Sequence, residues 1–408
     1  MNTGSFESFP EILWIVMHFI GWIIITILSI LTILILVYLA MLYFMHENRG
    51  NIGPYVVKEP GDQPSYRIHY RHGGAPSILK VRAHGANRWK TIKDSTPNAF
   101  ISSFPLRDAD EGKLHHYTIL NPLSGKVQYR GKFRALEPKS FSGEFCFMAV
   151  SDIQIQDKLA VFQHWFMRII KRTKPRFIVN CGDVVSKPVD EKFKTFFNTF
   201  KKVFSRWPVQ SVIGNHDFGN DNGQDVRERY RLIPRNNEHY WYWFSMANVY
   251  FFMLSTNHLQ GHAFKKQTDW LETELERASH DAKVIIACFH CPPFGPDYSS
   301  RNADAMKAEE RLIKEKWIPL FSRFGVKLVI SGHKHVYCRE HHDGIWYHIT
   351  GSFQGIREYP VLNEGKSICM NKHGITKITV GKNRIIVEAL SLFGRKFDEY
   401  DMKLSKRS

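Results

Sequence analysis

Asp152-Ile153-Gln154, Gly182-Asp183, Gly214-Asn215-His216-Asp217, the solitary His290 and Gly332-His333-Lys334-His335 decide the fold reading, because each ends an apolar run. Those runs, Phe145 to Val150, Arg176 to Asn180, Val209 to Ile213, Lys283 to Phe289 and Lys327 to Ile330, read as strands. Helical patterns at Leu159 to Arg172, Glu191 to Phe204, Lys265 to Ser279 and Ala305 to Phe324 alternate with them, and one more strand is expected over Val249 to Leu254. Such alternation predicts a layered α/β domain. Asp, Asn and His repeated beyond strand ends are the product of a sheet whose carboxyl edge aims its loops at one crevice. Taken singly, His290 reads as a hydrogen-bonded core histidine, and Asp152 or Asp183 as a helix N-cap. Their repetition in order outweighs that reading. Gly182, Gly214 and Gly332 are expected to supply positive φ where each strand turns to present a ligand.

Beyond His335 the helices stop. Gly344 to Thr350, Gly374 to Val380 and Arg384 to Leu390 read as strands closing the domain with antiparallel pairs in a second sheet. An α/β domain is thereby expected over 144–395, with a basic tail over 396–408. Upstream, Tyr66 to Tyr70, Ser77 to Ala83, Tyr117 to Leu120 and Val127 to Phe133 are short alternating runs separated by Gly-Gly, Asn-Pro and Ser-Gly turns. They predict a small antiparallel β-sandwich over 66–136. Residues 45–65, rich in Gly, Pro and charge, read as a tether.

Residues 12–44 contain no Asp, Glu, Lys or Arg, and exceed the ~20 residues a helix needs to span a bilayer. One transmembrane helix is expected there, after a tail over 1–11, with Trp14, Trp22, Tyr38 and Tyr43 suited to the interfaces. A cleaved signal peptide would need a basic leader, and Met1 to Glu11 has no Lys or Arg. Glu7 and Glu11 precede the helix while Arg49, Lys58, Arg67 and Arg71 follow it, which favours a cytoplasmic side for the portion after the helix. Two features agree: no Asn-x-Ser/Thr sequon occurs, and the six cysteines read as reduced residues rather than a disulfide framework. Cys288 and Cys291 enclose His290 and precede two prolines, which argues against a redox Cys-x-x-Cys.

The chain has 408 residues, 43% hydrophobic and 23% charged, which excludes disorder as the default and allows two or three domains. A formal charge of +17 attracts anions: phosphate substrates or an acidic membrane surface. No nucleic-acid module is visible, and no nucleic-acid partner is expected.

In the order and context of its motifs, the region from Glu144 to about Leu390 resembles the calcineurin-like metallophosphoesterase superfamily, whose pattern is Asp-x-His, Gly-Asp, Gly-Asn-His-Asp, a lone His and Gly-His-x-His. The resemblance implies a metallophosphoesterase β-sandwich flanked by helices and two divalent cations (Mn, Fe, Mg or Zn). Asp152, Gln154, Asp183 and His335 would hold one; Asp183, Asn215, His290 and His333 would hold the other. It further implies that a metal-bridging hydroxide attacks the phosphorus of a phosphate ester, that His216 protonates or stabilises the leaving oxygen, and that Asp217 orients His216. The segment His115 to Arg134 resembles the last strands of the fibronectin-III-like domain that precedes the catalytic domain in purple acid phosphatases, here expected to act as a spacer.

Two positions depart from these patterns. Gln154 stands where His is usual, a weaker donor to a softer metal. Ser186 occupies the place of the purple acid phosphatases' tyrosine ligand, so no Fe(III)-tyrosinate colour is expected. Arg227, Arg229, Arg231, Arg235, His239, Tyr240 and Trp241 could grip a phosphate bearing an organic body or could equally form a solvated face and core, with His258 and His262 as further candidates. The expected function is a membrane-anchored two-metal phosphoesterase. The alternatives are an inactive scaffold of the same fold and an exported acid phosphatase-like enzyme.

Overall fold

The computed structural model describes residues 9–47, 50–97, 99–155, 160–219, 228–234, 239–257, 261–297, 303–353, 362–364 and 367–404. They form two compact units divided after Gly50. The first contains α1 (Phe9–Glu47), whose Leu13–Leu39 stretch is long and apolar enough to cross a membrane, a test that a signal sequence also passes. Thr26, Ser29 and Thr32 return their hydroxyls to carbonyls four residues back, which satisfies them without a partner helix.

The second unit opens with seven strands: β1 (Ile52–Lys58), β2 (Tyr66–Arg71), β3 (Ile78–Ala83), β4 (Lys90–Lys93), β5 (Ser102–Leu106), β6 (Leu114–Leu120) and β7 (Val127–Arg134). They make a three-stranded sheet, β1-β2-β5, and a four-stranded sheet, β4-β3-β6-β7. Part of the expected tether is therefore strand. All seven residues of β1 are buried, and Tyr55 stacks on Phe197 at 4.4 Å, so burial overrides the Gly and Pro content.

The remaining elements are β8 (Phe145–Val150), α2 (Ala160–Thr173), β9 (Ile178–Asn180), α3 (Asp190–Phe204), β10 (Val209–Ser211), α4 (Asn215–Phe218), β11 (Tyr242–Met246), β12 (Val249–Met253) and α5 (Gly261–Ser279). They continue with β13 (Val284–Cys288), α6 (Ala303–Phe324), β14 (Val326–Ser331), β15 (Tyr337–His342), β16 (Ile345–Thr350), β17 (Leu362–Glu364), β18 (Ser367–Met370), β19 (Ile375–Val380), β20 (Arg384–Leu390) and β21 (Lys396–Lys403). One sheet runs β10-β9-β8-β19-β20-β21 and the other β11-β12-β13-β14-β16-β15-β18-β17. Phe147 on β8 stacks on Phe177 and meets Phe251 on β12 edge-on at 5.2 Å, which joins the two sheets through aromatic packing. In α3, Phe193, Phe196, Phe197, Phe200, Val203 and Phe204 repeat at helical spacing and are all buried, so one face of this helix is core.

The late strands depart from expectation. They do not form a separate sheet: β19 pairs with β8 and extends the first sheet, while β15 and β18 extend the second. The expected basic tail begins with β21, paired along β20 and burying Tyr400 and Met402 on alternate positions. Cys338 and Cys369 face each other across β15 and β18 and are disulfide-bonded, a correction to the expectation of six reduced cysteines. Pairing across 31 residues depends on strand register, which cysteine spacing does not disclose.

His348 on β16 bonds Thr376 Oγ1 at 2.6 Å and Tyr400 O–H at 2.9 Å, bridging the two sheets. Burial, with Arg339 adding to it against Asp398, pushes its imidazole down to about 3. The unfolded chain takes the proton first, so this contribution is intact above the ordinary 6.5 and is lost as pH falls toward 3. His348→Leu is expected to lower stability by about 2 to 3 kcal/mol at pH 7.5, by orphaning two hydroxyls. In urea unfolding, the gap between wild type and variant should narrow as pH falls through that window.

Candidate metal centre

β8, β9 and β10 run parallel, as do β12, β13 and β14, so the motif loops all leave carboxyl ends of parallel strands. The close approach of these loops explains the glycines. A Cβ on Gly214 would lie 2.0 Å from Asp183 Oδ1, and one on Gly332 would lie 1.7 Å from Ser151 Oγ. Of the three motif glycines only Gly182 takes positive φ, at 92°. The expectation for Gly214 and Gly332 is corrected: they supply room. The left-handed backbone falls instead on Asp152, Gln154, Asp183, His333 and His335, with φ between 38° and 70°.

The side chains gather into two overlapping groups that share Asp183. In the first, Asp152 Oδ1 lies 3.3 Å from His335 Nε2, and Gln154 Nε2 lies 3.0 Å from Asp183 Oδ2 and 3.3 Å from His335 Nε2. In the second, His290 Nε2 stands 3.4 Å from Asp183 Oδ2, 3.1 Å from Asn215 Oδ1 and 3.1 Å from His333 Nδ1. His290 Nδ1–H donates to the Cys181 carbonyl at 2.7 Å, which fixes the tautomer and leaves Nε2 as a donor atom.

The donors fit divalent cations. Asp152, Asp183 and His335 bring ligand atoms within 4.8 Å of one another in a buried setting, and buried Asp152 Oδ1 accepts no hydrogen bond. Gln154 turns its NH2 toward the group; a half-turn of the amide puts Oε1 there instead. Burial raises the Asp183 carboxyl, but the His290, His216 and His333 rings outweigh it and hold the group below the usual carboxylate range. Burial lowers His290, yet Asp183 and then Asp152 lift it to about 10. A proton on the His290 imidazole balances the buried carboxylates, so cation binding and protonation compete there.

His216 is half-buried, with Nδ1–H donating to the Ser186 carbonyl at 3.0 Å and Nε2 4.0 Å from Asp183 Oδ2. Among the described residues, the hydrogen bonds of the Asp217 carboxylate go to backbone N–H groups and not to the His216 ring that it was expected to orient. That buried carboxylate accepts from the N–H groups of Asp183 at 2.7 Å, Val184 at 2.8 Å, Val185 at 3.2 Å and Gly214 at 3.1 Å, tying two motif loops together. Burial and the Asp183 charge push Asp217 up to about 7, against the N–H groups of Gly214 and Val185.

The arginine and aromatic candidates divide. Arg229 pairs with Asp190 at 2.5 Å and lies over Phe100, while Arg231 and Trp241 are buried, and His239 stacks on Trp241. These contacts are structural. Arg227, Arg235 and His258 lie outside the described residues, and His262 is exposed near the start of α5. Sequence reasoning passed over Lys334, fully buried between two of the histidines, where it bonds the Pro296 carbonyl at 2.9 Å and pairs with Glu310 on α6 at 2.7 Å. A lysine inside an otherwise apolar and histidine motif was the available signal. It also passed over Ser352 and Phe353, both of which donate to the Asp152 carbonyl.

Residues 146–337 match the calcineurin-like phosphoesterase family model. The chain is 26% identical over 282 residues to serine/threonine-protein phosphatase CPPED1 of Danio rerio, an alignment covering 61% of this chain and 85% of that protein. It is 24% identical over 291 residues to acid phosphatase type 7 of Mus musculus, covering 64% and 62%. In fold it is similar to purple acid phosphatase PPD1 of yellow lupin (TM-score 0.73, 13% identity), over 86% of this chain and 74% of that one.

Asp217→Ala leaves four backbone donors without their acceptor and is expected to destabilise the chain by about 3 kcal/mol or more. Urea unfolding measures this. Ser186→Ala, which keeps the carbonyl on His216, is expected to change neither stability nor the His216 ring shifts in NMR.

Proposed function

We propose that this chain, whose residues 146–337 match the calcineurin-like phosphoesterase family model, is a membrane-anchored hydrolase that uses two divalent cations to cleave a phosphate monoester. The observation that carries the reading is the pair of donor groups overlapping at Asp183. Asp152, Gln154, Asp183 and His335 would hold one cation and Asp183, Asn215, His290 and His333 the other. Cations there would neutralise phosphate charge and lower the pKa of bound water. The chain's own residues do the rest. His290, its Nδ1 committed to Cys181, keeps Nε2 in place. His216, its Nδ1 committed to Ser186, keeps Nε2 on the side of Asp183, the position from which it would deliver a proton to the leaving oxygen. Asp217 keeps both loops in register. A monoester is supported by two curated relatives that are named as phosphatases, while another, of Psychrobacter arcticus, is named as a probable cyclic nucleotide phosphodiesterase.

Anchoring rests on α1, and the seven strands of β1 to β7 are read as a fibronectin-III-like spacer. The flanking charges favour a cytoplasmic catalytic portion. The Cys338–Cys369 bond favours an oxidising compartment. Protease protection of a carboxyl-terminal tag in intact cells separates the two.

The test is manganese-dependent hydrolysis of chromogenic monoester and diester by the full chain in detergent. Turnover is expected to fall to background with chelator and with Asp183→Ala, and the monoester to be the better substrate. His216→Ala should lower kcat by about 10² to 10⁴ with KM little changed. Manganese affinity should rise with pH as His290 gives up its proton. Absence of turnover with any divalent metal, in folded protein, sinks the enzyme reading and leaves the scaffold.

A further inference from the structure

The four-stranded sheet has one face turned inward, where Leu79, Val81, Tyr117, Ile119 and Phe133 are buried and Tyr117 O–H donates to the Ser205 carbonyl. On the opposite face the register brings Lys80 beside Thr118 and Arg130, Arg82 beside His116 and Lys132, Lys93 beside Ile78, and Leu114 beside Arg134. Lys80, Arg82, Lys93, Arg130, Lys132 and Arg134 are all exposed. No carboxylate stands among them in these rows, so their field is uncompensated on that face. Burial and then the charges of His84, Lys132 and Arg82 push the His116 imidazole down, as such a field requires.

An independent feature points to what the face meets. Outside α1, the exposed large apolar side chains among the described residues are Trp89, Leu123, Val127, Val189 and Phe393. Three of these lie on this sheet and its turns, Trp89 in the β3–β4 turn with Arg82 over its ring at 4.9 Å, Leu123 in the β6–β7 turn and Val127 at the start of β7. A basic surface with an indole and aliphatic tips at its ends matches anionic headgroups above an apolar layer, since Trp favours that boundary and each Lys or Arg is drawn to the negative surface. Only residues 48–51 separate α1 from β1 along the chain.

We propose that the outer face of the β4-β3-β6-β7 sheet docks on anionic lipid, a second membrane contact besides α1. The proposal rests on the anchor reading above, and it gives the sheet a function beyond spacing.

The experiment uses the full chain in lipid nanodiscs, either neutral phosphatidylcholine or phosphatidylcholine with phosphatidylserine. Lysine reactivity toward a water-soluble amine reagent is read by mass spectrometry, with exposed Lys316 on α6 as reference. Docking predicts that Lys80, Lys93 and Lys132 react at least about fivefold more slowly in anionic discs, and that molar salt restores them. Arg82→Glu with Arg130→Glu should abolish the protection while leaving chromogenic turnover unchanged. Equal labelling in both discs overturns the docking alone. Protection in neutral discs produced by added RNA, and absent with phosphatidylserine, also overturns it and assigns the face to nucleic acid. A chain that an alkaline wash removes from both discs overturns the anchor, and the docking falls with it.

Discussion

One buried carboxylate holds the centre of this molecule in register. Asp217 takes hydrogen bonds from the N–H groups of Asp183, Val184, Val185 and Gly214, which belong to loops leaving two different strands. Those donors lie beyond the ends of the sheet ladders and have no strand partner, so without the carboxylate they would be buried and unsatisfied. The position of Asp183 follows from this contact, and both donor groups meet at Asp183. A residue assigned from the motif to orient a neighbouring ring instead sets the backbone on which the site is built.

The second consequence is where strain is stored. Asp152, Gln154, Asp183, His333 and His335 all take left-handed backbone, which a side chain adopts at a cost of about 1 to 3 kcal/mol each. The loops make up that cost through fixed contacts: His333 N–H on Asp152 Oδ2 at 2.8 Å, His216 N–H on Asp183 Oδ1 at 2.9 Å, and Gly332 N–H on the His290 carbonyl at 3.0 Å. Each carboxylate thus uses one oxygen to hold backbone and keeps the other beside an imidazole. Buried carboxylates and imidazoles in such proximity suit a centre that exchanges protons for cations.

The sheets that carry these loops are closed by the last part of the chain. β19, β20 and β21 complete the sheet begun by β8, and His348 bonds across to Thr376 and Tyr400 from the other sheet. Residues far beyond the last motif are thereby structural partners of the first. The disulfide between β15 and β18 fastens the outer strands of the second sheet, three residues beyond His335.

The sequence by itself determined the layered α/β character, the apolar amino-terminal helix and the set of residues that converge. Each is local: apolar runs of strand or helix length, and Asp, Asn and His at run ends, report on their own segment. Tertiary structure decided what depends on distant neighbours. Ile52 to Lys58 reads as linker until α3 covers it, and Lys396 to Lys403 reads as tail until β20 offers an edge to pair with. Cys338 and Cys369 read as isolated until register places them opposite, and Asp217 reads as a partner of His216 until the β9 loop supplies its N–H groups. Burial and hydrogen-bond partnership are properties of the packed chain, and no spacing within a segment encodes which remote backbone will arrive beside it.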